Sequence, residues 1–152
     1  MQNFYRKGVT VVELLIVIAV LGIIFLIVLP QFSKSRENQV LKNGVADILS
    51  SVNKARGNTL ASLNSSEYGI HFQIDRVVIF KGTSFSSEDS NNEIINITTP
   101  ANISDITLLG GGSDIYFHRL TGAPSTTGTI TISTGSYSKV ITILATGVVS
   151  VN

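Results

Sequence analysis

Cysteine is missing from this chain, and its absence excludes disulfide frameworks, thiolate metal sites, thiol nucleophiles and lipid attachment through a cysteine. Charge is also scarce. Charged residues make up 14% of the sequence, against about a quarter in an ordinary soluble domain, so something apolar skews the average. A net charge of +1 gives no general attraction to nucleic acid or to anionic surfaces. There are two histidines. His118 and Asp114 are the nearest approach to a metal pair, but their spacing suits opposite ends of one strand face. His71 alternates out of phase with Ile70 and Phe72 and reads as solvent-facing. No serine sits in a G-x-S-x-G elbow. Gly110-Gly111-Gly112 lacks the Lys-Ser/Thr of a phosphate loop, precedes a strand and reads as a turn. No catalytic residue, metal site or cofactor is expected, and the chain reads as non-enzymatic.

What is present is an apolar run. From Leu14 to Leu29 no side chain is polar, and extending back to Val11 adds only Glu13 as an interruption. As a helix at about 1.5 Å per residue, Val11–Leu29 measures roughly 28 Å, close to the ~30 Å hydrocarbon core of a bilayer. Arg6 and Lys7 at the short N-terminal side favour a single pass with the N-terminus inside and the C-terminus outside. A secretory signal would have a shorter apolar core followed by a small-x-small site. Here Pro30-Gln31-Phe32 follows instead.

After Pro30 the pattern becomes amphipathic. Leu41, Val45, Ile48, Leu49 and Val52 fall on one face of a 3.6-residue period, with Lys42, Asn43, Asp47 and Lys54 off it. A helix is predicted from about Val9 to about Arg56, kinked or loosened at Pro30, with Gly22 a second break position, softened at Gly44 and stopped at Gly57-Asn58. From Tyr68 the period becomes two. Tyr68, Ile70, Phe72 and Ile74 alternate with smaller or polar residues, and Val77–Phe80 is a second β-rich run. Further strands are predicted at Glu93–Ile97, Ile106–Leu109, Ile115–Arg119, Thr129–Thr134, Lys139–Leu144 and Val148–Val151, divided by glycine and proline turns. Gly82–Asn92 reads as a mobile exposed loop. Its Glu88–Glu93 stretch is the best cation candidate, but it lacks EF-hand spacing and is expected to be simply solvated.

The fold class expected is therefore α+β. A long N-terminal helix, membrane-spanning in its first half and amphipathic in its second, packs on a C-terminal antiparallel β head. The organisation expected is a leader over residues 1–8, a membrane helix over 9–30, an amphipathic helix over 31–58 and a head over 59–152. Charge divides in the same way. Lys34, Arg36, Lys42, Lys54 and Arg56 outnumber Glu37 and Asp47 between Pro30 and Thr59, leaving +3. From Leu60 onward four cations face seven acids, leaving −3.

Glu13 is what a plain anchor does not explain. A carboxylate in a membrane helix costs about 2.5–3.5 kcal/mol at mid-bilayer and less near an end. It could snorkel to the headgroups. Alternatively, a cut after Gly8 would give Val9 a free α-amine one i, i+4 step away, and the two charges could pair within one helix or between neighbours.

Lys7-Gly8-Val9-Thr10-Val11-Val12-Glu13-Leu14-Leu15 resembles the cleavage and methylation motif of type IV pilins and type II secretion pseudopilins. The resemblance implies prepilin-peptidase cleavage after Gly8, N-methylation of Val9 and an assembly or register role for Glu13. Gly22 and Pro30 fall where that family has a glycine and a helix-breaking proline. Val9 departs from the usual phenylalanine or methionine. Further on, Lys54-Ala55-Arg56, Ile115-Tyr116-Phe117 with Thr121-Gly122, and the closing strands around Gly147 resemble the GspH/FimT group of minor pseudopilins and pilins. The resemblance implies a filament subunit of a type II secretion system or type IV pilus. Its partners would be the prepilin peptidase, other pilin or pseudopilin subunits, an inner-membrane assembly platform and membrane lipid. It would begin in the inner membrane and end in a periplasmic or extracellular filament. The alternative is a DNA-binding or adhesive tip pilin. The acidic head, with Arg76, Lys81, Arg119 and Lys139 scattered, argues against nucleic acid.

Overall fold

The computed structural model describes residues 8–152; the predicted leader cations Arg6 and Lys7 lie outside the described residues. Helix α1 covers Val11–Leu60 and is followed by a short 3₁₀ turn, Leu63–Ser65. Eight strands come next: β1 Tyr68–Phe72, β2 Arg76–Lys81, β3 Glu93–Asn96, β4 Asn102–Leu108, β5 Asp114–Tyr116, β6 Gly128–Ser133, β7 Ser138–Ile143 and β8 Val149–Val151. They form two four-stranded sheets, β3-β2-β1-β5 and β4-β6-β7-β8, and every pairing is antiparallel. A long helix with antiparallel sheets is the expected α+β, pilin-like architecture. The chain divides into two compact units, Met1–Arg36 and Glu37–Asn152.

In the second unit, the predicted helical stripe packs into the core. Leu41, Val45, Ile48 and Val52 are buried, with Leu49 partly so, among Ile70, Phe72, Val77 and Ile79 of the first sheet and Ile103, Ile130, Ile132, Ile141 and Ile143 of the second. The amphipathic pattern and the β alternation meet in one cluster because each element has a single apolar face to hide. Ile48 has no exposed surface. Ile48→Ala should therefore cost about 2–5 kcal/mol, seen as a lower urea midpoint for the tyrosine signal. A loss below about 1 kcal/mol would mean the helix is not seated there.

Four sequence expectations need correction. α1 is helical without interruption through Gly22 and Pro30, so the predicted helix break is not present at either position. One missing N–H removes a single rung, and the helix continues on the others. Gly44 does not soften the helix. It is buried where a side chain would meet Ile132 Cδ1 at 2.6 Å, so the missing side chain lets the helix backbone approach β6.

The helix also passes Gly57-Asn58 and ends at Leu60. Buried Thr59 holds this extra turn, its Oγ1 donating to Ala55 O (3.0 Å) and accepting from Tyr68 N (2.9 Å). Left-handed Ser62, φ 49°, turns the chain away, a job usually given to glycine or asparagine. Finally, Ile74 is not part of β1. It sits in the β1–β2 turn, 70% exposed, while Phe72 pairs with Val77.

Candidate functional site

The N-terminal segment opens on a Thr10 N-cap that the sequence reading missed. Thr10 precedes the helix, its Oγ1 accepting from Glu13 N at 3.2 Å and its carbonyl accepting from Leu14 N at 3.1 Å. The S/T-x-x-E spacing of Thr10-Val11-Val12-Glu13 is the signal that would have revealed it. Val9 lies two residues ahead of α1 and is exposed, as are Gly8 and Glu13. Glu13 sits in the first turn, where the helix dipole favours an anion. Among the described residues no side chain surrounds Gly8, so its lack of a Cβ answers no packing need there.

Among the described residues, the first half of α1 has nothing to bury against in its own unit. Every described side chain from Val11 to Val28 is exposed, and the helix is long and apolar enough to cross a membrane. Each large apolar side chain left in water forgoes about 1.5–3 kcal/mol, so lipid or another apolar helix must cover this surface. A hollow beside Ile27, Gln31, Phe32 and Ser35 is the flank of this same bare helix.

In the head, His71 is arranged differently from expectation. His71 is not turned to solvent. Its Nδ1 pairs with Asp114 Oδ1, its direct cross-strand partner, and its ring stacks on Phe85 at 4.0 Å. His118, which the sequence spacing set at the opposite end of a strand face from Asp114, lies 3.8 Å from Glu67 and edge-on to Tyr116. Among the described residues no group of three or more metal-ligating side chains forms. The Glu88–Glu93 acids separate: Glu93 pairs with Lys54 at 2.6 Å, and Asp89 Oδ1 accepts from Asn91 N and Nδ2 at 2.9 and 2.7 Å. Those hydrogen bonds from Asn91, backbone first, hold the Asp89 carboxyl below its ordinary value of 3.8. The Arg76 hydrogen bond likewise lowers Asp75, and Asp75 raises Arg76 in return.

A depressed carboxyl pKa contributes order above the unfolded value and loses it as pH falls through the folded one. The Asn91 amide should therefore lose exchange protection as pH drops below 3.8, while amides of β6 keep theirs. Protection that stays flat to lower pH would mean the Asp89 turn is not what orders this loop.

The segments singled out near the helix end and in two late turns converge. Arg56 Nε donates to Gly122 O at 3.0 Å and its Nη2 donates to Thr146 O at 3.2 Å. Gly147 follows at φ 77°, packed so closely that a side chain would overlap Gly122 O and reach 2.7 Å from Arg56 Nε. One guanidinium thus ties the end of α1 to the turns after β5 and β7.

Residues 3–29 match the family model described as the prokaryotic N-terminal methylation motif. No curated protein and no solved structure matches the chain. The motif, joined to the apolar helix behind it, supports a type IV pilin-like prepilin: a subunit of the pilin or pseudopilin type, processed by a prepilin peptidase and assembled with other pilins. It is consistent with membrane anchoring through α1.

Proposed function

We propose that the chain is a non-enzymatic minor pseudopilin or minor pilin of the GspH/FimT type, working in a type II secretion or type IV pilus filament. The observation that carries this reading is the methylation motif over residues 3–29, continuous with a helix whose described apolar side chains from Val11 to Val28 are exposed. The convergence of Arg56, Gly122 and Gly147 supports the subgroup, since it joins three segments of the resemblance in one structural knot.

In this reading the precursor waits in the inner membrane with the helix in lipid, N-terminus inside and C-terminus outside. Hydrolysis of the Gly8–Val9 bond removes the leader and frees the Val9 α-amine, which N-methylation leaves basic. That amine then lies at the positive end of the helix dipole, an unfavourable place for a cation, and Glu13 in the first turn offsets it. Pairing between neighbours would remove two charges from an apolar setting and set their axial register. Packing against other helices replaces lipid without exposing apolar surface to water. The head supplies the choice of neighbours.

The test is the mass of the mature N-terminus in protein taken from its native membrane. The expected chain begins at Val9 and carries one added methyl group. A chain still beginning at Met1 with the peptidase present would end the reading.

A further inference from the structure

The loop from Gly82 to Asn92 covers the face of the first sheet that is turned away from the main core. That face carries Gly69, His71, Val78 and Phe80, none of which belongs to the core cluster, although Val78 and Phe80 are buried. Phe85 reaches back from the loop to stack on His71 and to tilt against Phe80 at 5.9 Å between centroids. Gly69 makes room for this second, smaller cluster, because a side chain there would overlap the ring of Phe80. Asn92 Nδ2 donating to Ser86 O at 2.7 Å, with Asn92 N donating to Asp89 O at 3.1 Å, fastens the far end.

Between this loop and β2–β3 lies a half-open cavity of 340 Å³. It falls at the lower end of the roughly 300–1,000 Å³ range of small-molecule sites. Val78, Phe85 and Ile94 form its apolar wall, while Arg76, Asp89 and Ser90 contribute polar groups.

The free valences of those groups define what fits. Arg76 gives Nε and Nη2 to Asp75, at 3.0 and 2.7 Å, which leaves Nη1 to donate. Asp89 accepts both Asn91 hydrogen bonds on Oδ1, which leaves Oδ2 to accept. Ser90 is exposed, which leaves its hydroxyl accessible to a ligand. Charge argues against an ionic ligand. Asp75 already neutralises Arg76, Asp89 repels anions, and no cluster of acids is present among the described residues to strip a cation of water.

We propose that this cavity is a binding site for a neutral sugar ring, whose vicinal hydroxyls both donate and accept and whose C–H face suits an apolar wall. The proposal does not depend on polymerisation, because the site lies wholly within the Glu37–Asn152 unit.

The test is saturation-transfer NMR on the full chain, held in a phosphocholine detergent that carries no sugar headgroup. The probes are glucose, galactose, mannose and N-acetylglucosamine at up to about 20 mM, bracketing the millimolar affinity expected of a small open site. At least one should receive saturation. Ser90→Trp, which fills the cavity from an exposed position, should abolish it. Arg76→Gln should weaken binding about tenfold, the usual effect of losing a charge-assisted donor. Ser150→Trp on β8 should change nothing. The proposal is overturned if none of the four sugars receives saturation, or if saturation persists unchanged in both cavity variants. Calcium-dependent shifts at Asp89 and Asn91 without any sugar response would also overturn it.

Discussion

Glu13→Ala is expected to keep the chain out of sheared filaments, lowering its yield there at least about tenfold, while the membrane fraction holds as much of it as before. The two halves of this expectation have separate causes. Removing a carboxylate from an apolar helix relieves an insertion cost, so the membrane pool should not fall. Assembly, however, loses the partner of the α-amine that the proposed processing would create at Val9. The start of the helix should survive, because the Thr10 hydroxyl accepts from the backbone N–H of residue 13, which alanine retains. Glu13→Gln separates charge from shape. It keeps the length and hydrogen-bonding capacity of the side chain, and it should fail in assembly as alanine does. Incorporation of either variant at the normal yield would show that the acid merely reaches the headgroups.

Gly147→Ala should be among the most damaging single changes in the head, costing about 3–4 kcal/mol. Two effects combine. At φ 77° any L side chain is strained by about 1–2 kcal/mol. The added methyl group also overlaps Gly122 O and crowds Arg56 Nε, pushing the guanidinium off the carbonyls of Gly122 and Thr146. Two control glycines separate the terms. Gly82 has φ 105° but open space around it, so alanine there should show the strain alone. Gly135 has an ordinary φ and nothing nearer than 3.9 Å to a new Cβ, so alanine there should change stability by less than about 0.5 kcal/mol. Urea midpoints measured on the three variants provide the comparison. Equal losses at Gly147 and Gly82 would mean that the Arg56 knot contributes nothing to the head.

Much of this architecture is legible in the residues themselves, wherever one local period decides the outcome. The Leu41–Val52 stripe is buried as its spacing requires, and most predicted strands are present within a few residues. Errors collect where a local signal met a tertiary partner. Gly57-Asn58 carries a stop signal, yet the Thr59 hydroxyl bonds to β1 and the helix continues. Ile74 continues the alternation of β1, but the hairpin closes at Phe72–Val77 and leaves it outside. The serine-rich Gly82–Asn92 segment has the composition of a free loop. Nothing local shows that Phe85 would find His71, or that His71 would stand opposite Asp114, because those neighbours come from strands that pair only on folding.

By itself the sequence determined the properties that need only order and spacing along the chain: a processing motif, an apolar stretch of bilayer length, an amphipathic continuation and a β head. These follow from side-chain polarity and from the periods of helix and strand, which neighbours in the chain already define. The folded structure alone decided which strands form each sheet, where Arg56 finds its two carbonyls, and that a loop closes a cavity against the outer sheet face. Those outcomes depend on groups tens of residues apart meeting at hydrogen-bond and van der Waals range, and no local period encodes such a meeting.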